Sequence, residues 1–142
     1  MVIESRLQRD YLSAVLKDLD TRLEREIYRW QSAGQNFDDR FRGLRINAEE
    51  ALLLTKRAPG LNWGSTAVIS EEETRQFKKD LEGAAQKIKD IEAQADQEGI
   101  PLRLRQLAQT FNLSEFEWWA FVVCLAPALD LRYERIFGYL QD

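Results

Sequence analysis

Residues 70–101 read SEEETRQFKKDLEGAAQKIKDIEAQADQEGIP, and this stretch decides the fold class. Ser70 followed three residues later by Glu73 is a capping box. The serine oxygen accepts the N–H of the third helical residue, and the glutamate reaches back to the serine N–H. Glu71, Glu72 and Glu73 fill the first turn, where the helix dipole favours negative charge. Phe77, Leu81, Ala84, Ile88, Ile91 and Ala95 follow at spacings of 4, 3, 4, 3 and 4, a heptad-like apolar seam. Gly99 and Pro101 end it. The spacing predicts one helix over about 71–98, roughly 42 Å long at about 1.5 Å per residue.

A second long helix is expected over about 4–33. Leu12, Leu16, Leu19, Leu23, Ile27 and Trp30 recur at spacings of 4, 3, 4, 4 and 3. At about 100° per residue they fall within roughly 80° of one another, a single apolar stripe. No Pro interrupts this segment, and Gly34 stands where a C-terminal cap belongs. Charges fill the other faces, including Asp18 and Arg22 at i, i+4. Two helices of matching length, each with one apolar stripe, most simply pack along each other.

The connection between them carries Asn47-Ala48-Glu49-Glu50 and then Ala51-Leu52-Leu53-Leu54, which predicts a short helix over about 48–57. Phe41-Arg42-Gly43-Leu44-Arg45-Ile46 reads as an ordered extended segment, with Phe41, Arg42 and Leu44 as its candidate anchors. Pro59-Gly60 and Trp63-Gly64-Ser65 are breakers, so 58–70 is the expected flexible loop. Downstream, Pro101 can open a helix over about 101–110, with Leu104, Leu107 and Phe111 on one side. Ser114-Glu115-Phe116-Glu117 is another capping box, opening a helix over 115–126 that is apolar on all sides. Such a helix belongs at the centre of a bundle or at a partner interface. Pro127 is expected to stop it, and Asp130 to cap a last helix over about 130–141. The expected fold is all-α, a single helical domain over 1–142.

The chain has 142 residues, 44% of them hydrophobic and 31% charged, with a mean hydropathy of −0.46. The longest apolar run, Trp118 to Leu129, spans 12 residues, well short of the roughly 20 needed to cross a bilayer. There is no His and one Cys, Cys124, which removes disulfides, His-based nucleophile sets and the usual zinc sites together. Net charge is −4 with no basic block, which argues against nucleic acid. None of the seven glycines is followed by Lys, so no P-loop is present. No apolar signal core follows Met1, and a cytoplasmic location is expected.

The remaining candidates for chemistry have structural readings that weigh more. Glu49-Glu50 and Glu71-Glu72-Glu73 are first-turn acids. Arg40, Arg42 and Arg45 around Phe41 resemble an anion patch, but Asp38 and Asp39 stand beside them to neutralise it. Cys124 is expected to be a buried, inert thiol. Adjacent Trp118 and Trp119 cannot share one helical face, so one of them is expected to be partly exposed. Phe116, Trp118, Trp119 and Phe121 are therefore the candidate partner interface. No catalytic, cofactor-binding or metal-binding residue is assigned.

Three blocks carry a resemblance. Leu107-x-x-x-Phe111-x-Leu113-Ser114-x-Phe116-Glu117 is followed by Cys124-Leu125-Ala126-Pro127-x-Leu129-Asp130-x-Arg132-Tyr133-Glu134 and then Tyr139-Leu140-Gln141-Asp142. Together with Phe41-Arg42-Gly43-Leu44-x-Ile46 and Glu49-Glu50, they are similar to the N-terminal region of large AAA-family ATPases. These are the ATPases of phage-tail-like contractile injection systems and their close relatives. The resemblance implies a helical domain preceding a winged-helix segment and then the ATPase module. ATP and Mg would be bound by that later module, so no catalytic residue is carried onto this chain. Trp118-Trp119 departs from the pattern, being bulkier than the family leads one to expect. The chain is read as beginning near a natural N-terminus and continuing past Asp142.

The expected function is that of a non-catalytic N-terminal domain that docks or positions the motor. Its partners would be proteins: its own downstream modules, neighbouring subunits or an injection particle, with no nucleic acid and no membrane. The alternative is a free-standing scaffold that self-associates through the Phe77–Ala95 seam.

Overall fold

A segment without Gly or Pro is free to run as one helix, and residues 2–32 do so. The computed structural model describes residues 2–32 and 69–141, and among these it holds five helices and no strand. They are α1 (Val2–Ser32), α2 (Glu71–Gln97), α3 (Arg103–Thr110), α4 (Glu115–Leu129) and α5 (Arg132–Gln141). The all-α reading holds. The expected helix over 48–57, residues 58–68 of the expected loop and the anchors Phe41, Arg42 and Leu44 lie outside the described residues.

The two long helices pack together, antiparallel. Near one end Tyr11 donates from its hydroxyl to Glu92 Oε1 at 2.9 Å, and near the other the rings of Tyr28 and Phe77 meet edge to face at 5.6 Å. The core gathers Leu7, Tyr11, Val15 and Leu19 of α1 with Ala95, Leu102, Val122, Ala126 and Tyr133.

The face of α1 that meets α2 is not the expected leucine stripe. Leu7, Tyr11, Ala14, Val15 and Asp18 are buried, whereas Leu12, Leu16, Leu23 and Ile27 are half-buried. Leu19 and Leu23 instead face α4. The reason is that α1 is covered from two directions, so its apolar surface must be wider than one stripe. A tyrosine and a small alanine extend it where sequence periodicity sees only polar residues and gaps.

Both corners that follow α2 and α3 are Schellman motifs. At the end of α2, Gly99 N–H donates to the Asp96 carbonyl (3.3 Å) and Ile100 N–H to the Ala95 carbonyl (2.9 Å), with Gly99 at φ +66°. At the end of α3, Asn112 N–H donates to Gln109 (3.1 Å) and Leu113 N–H to Ala108 (2.9 Å), with Asn112 at φ +48°. Asn is the residue after Gly that tolerates this left-handed region best.

Helix α3 starts at Arg103, not at Pro101, and the residue before it, Leu102, has no side chain able to cap. Gln8 of α1 does the capping. Its Oε1 accepts from Arg103 N–H (3.1 Å) while its Nε2 donates to the Pro101 carbonyl (2.7 Å). One amide from a distant helix thus fixes the α2–α3 connection and satisfies a helix end that local sequence leaves open.

Helix α4 does not stop at Pro127 but carries it inside its last turn. Near a C-terminus proline removes a single intrahelical bond, and its fixed φ is helical. The Asp130 N–H still donates to the Ala126 carbonyl at 3.0 Å. The α4–α5 corner is then tied to α1. Tyr133, fully buried, donates to Asp20 Oδ1 (2.7 Å), Arg132 pairs with Asp20 Oδ2 (2.9 Å), and Asp130 Oδ1 accepts from Arg132 N–H (2.9 Å).

At Gly99 a valine sets a Cβ against the following carbonyl; at Asn112, which already carries one, it adds a second γ branch and removes the polar side chain that eases the left-handed region. Gly99→Val and Asn112→Val are each expected to lower stability by about 1–2 kcal/mol, and Asn112→Gly to be neutral or slightly stabilising. Urea denaturation followed by circular dichroism reads all three.

Candidate functional site

The capping box at the head of α4 sets the geometry of the surface around it. Ser114 Oγ accepts from Glu117 N–H (3.3 Å), and Glu117 Oε2 accepts from Ser114 N–H (2.8 Å) and from its hydroxyl (2.7 Å). The Ser114 hydroxyl first, and its N–H second, hold the Glu117 carboxyl below its ordinary range. With the first turn pinned, Phe116 at its second position points outward, 82% exposed.

Beside Phe116 lies an apolar groove of about 430 Å³ between α1 and α4, walled by Leu19, Leu23, Trp119 and Val123. Its rim carries Arg22, Arg25, Glu26 and Glu115. The Arg22 guanidinium lies 4.0 Å above the Trp119 ring, a cation–π contact, and its Nε donates to Asp18 Oδ1 at 2.9 Å. Asp18 is buried, with 3% of its surface exposed. Sequence spacing identifies the Asp18–Arg22 pair but places it on a solvated face. In the fold the carboxylate is inside, and one arginine neutralises it while covering the indole.

The predicted interface residues divide. Phe116 and Trp119 line the same groove. Trp118 turns to the other side of α4, as adjacent helical residues must, and lines a cleft with Tyr11, Val15, Ile88 and Arg105. Phe121 is half-buried, packs against the core and sits 6.4 Å from the Trp118 ring. The candidate surface is therefore Phe116 and Trp119 with α1, without Trp118 and Phe121.

Cys124 is exposed, contrary to the expectation of a buried thiol. The cause is the position of α4 at the edge of the bundle. Only Val122 and Ala126 of this helix are buried, while Ala120, Val123, Cys124 and Leu129 join Phe116 at the surface. Among the described residues α4 therefore lies at the edge of the bundle and not at its centre.

Around Trp118 a polar chain runs from the buried Tyr11 out to the surface at Asp96. Tyr11 donates to Glu92, and Arg105 reaches Asp96 (2.8 Å) and Glu92 (3.8 Å). Burial first, then the Glu92 carboxylate, push the Tyr11 hydroxyl far up. Burial and then Asp20 likewise raise Tyr133. Both phenols are held as hydrogen-bond donors, a structural role. Sequence reasoning misses these groups because their partners lie 81 and 113 residues away. Among the described residues no cluster of His, Cys, Asp and Glu could hold a metal, and no helix is long and apolar enough to cross a membrane.

A family model described as a winged helix domain, variant, matches residues 6–142. The chain belongs to that family. The resemblance drawn from sequence placed a winged-helix segment after this region, whereas the match falls on the region itself. No curated protein and no solved structure matches the chain significantly.

Removing Arg22 leaves Asp18 buried without its counter-ion. With Arg22 one-third exposed, Arg22→Ala is expected to cost about 1–3 kcal/mol. The double variant Asp18→Leu/Arg22→Met should recover most of it, as read by thermal denaturation. Glu117 contributes to the α4 cap above its unfolded pKa, and that contribution is lost as pH falls through its lower folded value. In Ser114→Ala its titration, followed by NMR, should move up to the ordinary carboxylate range.

Proposed function

We propose that this winged-helix domain is a non-catalytic protein-docking module whose contact surface is the outer face of α4 and its groove with α1. The observation that carries the reading is the disposition of α4. This apolar helix buries only Val122 and Ala126 and leaves Phe116, 82% exposed, beside an apolar groove. Exposed apolar surface of this kind, rimmed by charge, is the pattern of a site that another protein covers.

The choice of protein over DNA rests on the same helix. Helices α3 and α4, joined by residues 111–114, have the helix–turn–helix order, in which the first turn of the second helix reaches base edges. In this chain that turn presents Glu115, Phe116 and Glu117. Two carboxylates would meet phosphates unfavourably, and the chain's net charge of −4 offers no compensating field.

The finer reading is that the domain positions the motor of an AAA-type ATPase, with ATP and Mg handled by a separate module. It is supported by the resemblance of residues 107–117, 124–134 and 139–142 to the N-terminal region of such enzymes. Four residues of the 124–134 block have a physical task in this fold: Ala126 in the core, Asp130 at the α5 cap, Arg132 and Tyr133 on Asp20. Self-association through the Phe77–Ala95 seam is less favoured, because Ile88 and Ile91 already pack on the core and Phe77 on Tyr28.

Phe116→p-benzoylphenylalanine in this protein, photolysed in cells, should give covalent adducts with protein. The 142-residue chain should show no binding to a short DNA duplex at about 50 mM salt, where non-specific affinity is strong. Absence of any protein adduct, or DNA binding at micromolar protein, would remove the reading.

A further inference from the structure

We infer that the α1–α4 groove is occupied by a second copy of this chain, with Phe116 of each copy seated in the groove of the other. The inference rests on the docking reading above and names its partner. It starts from a peculiarity of the patch: the projection and the hollow are side by side. Phe116 stands 82% exposed, and the apolar hollow of about 430 Å³ walled by Leu19, Leu23, Trp119 and Val123 opens next to it. A surface that only receives a partner needs a hollow, and one that only inserts needs a projection. A two-fold interface uses the same patch on both sides, so it needs both at once.

The exposed positions of α4 support the same arrangement. Phe116, Ala120 and Val123 recur at spacings of 4 and 3 on one side of the helix, and all three are exposed. Alanine at the middle of that row lets another backbone approach closely, while the aromatic ring at one end supplies the anchor. A single phenylalanine in a desolvated pocket is the kind of group that dominates an interface.

Charge completes the self-match. The rim carries both signs. Arg22 and Arg25 flank the hollow, the first spread over Trp119 and the second 39% exposed beside Glu26. Glu115, next to the projecting Phe116, is exposed and has no ion-pair partner among the described residues. Arg22 is already held by Asp18, but Arg25, paired with Glu26 through a 3.3 Å surface contact, can receive the Glu115 that arrives when Phe116 enters the hollow of a second copy. A patch of one sign would repel its own copy; this one does not.

The test is the oligomeric state of the 142-residue chain, followed by sedimentation velocity from about 1 µM to about 500 µM, the range of moderate self-affinities. The mass should double with concentration. Phe116→Asp should stay monomeric over the whole range with unchanged helicity, since the side chain it replaces is outside the core. Glu115→Arg should weaken the dimer by at least about tenfold. A chain that stays monomeric throughout overturns the inference, as does a Phe116→Asp chain that dimerises as tightly as the parent. Photolysis of the p-benzoylphenylalanine chain separates this result from the docking reading. An adduct of twice the chain mass supports the second copy. Adducts with other proteins alone, from a monomeric chain, end this inference and leave docking standing.

Discussion

Helix α1 is the one element that every longer helix leans on, and the rest of the structure follows from how its surface is shared. One side meets α2 through Tyr11 and Tyr28, the other meets α4 through Leu19, Arg22 and Leu23, and Asp20 receives α5. A helix used in this way cannot keep its polar residues on a free face. Asp18 and Thr21 are buried, and each is answered within the helix or close to it: Asp18 by Arg22, Thr21 by the Lys17 carbonyl (3.1 Å). Among the described residues no buried side-chain polar atom lacks a partner. The cost of burying polar groups is thereby offset without enlarging the core.

The short helices depend on α1 in a different sense. Neither α3 nor α5 is long enough to be stable by itself in water. Gln8 supplies the missing cap of α3, and Asp20 anchors Arg132 and Tyr133 at the start of α5. Both are side-chain contacts from one rigid rod to the ends of helices that local sequence leaves open. Helix α4, capped by its own Ser114 and Glu117, needs no such help and can sit at the edge. Its apolar surface is what the edge position leaves over, and the docking proposal rests on that unburied area.

Much of this was legible in the sequence. Both capping boxes, the length of α2 and the all-α class follow from residues three and four apart, because helical hydrogen bonds and caps are local. The candidate surface was legible in part. Phe116 and Trp119 share the groove with α1, while Trp118 and Phe121 lie elsewhere on α4; hydrophobicity does not say which way a residue on an all-apolar helix points. Cys124 and Pro127 failed for a related reason. A thiol is buried, or a proline terminates, only relative to what surrounds it.

The sequence by itself determined the two long helices, the capping boxes at Ser70 and Ser114, and the absence of a P-loop and of histidine chemistry, since each depends on neighbours within a turn or on composition. Only the tertiary structure decided which face of α1 meets α2, that Asp18 is inside, that Gln8 caps a helix more than ninety residues away, and that α4 lies at the edge with Phe116 exposed. These are outcomes of competition among several apolar faces for a limited buried volume. That competition is resolved by packing all the helices at once, and no single segment records it.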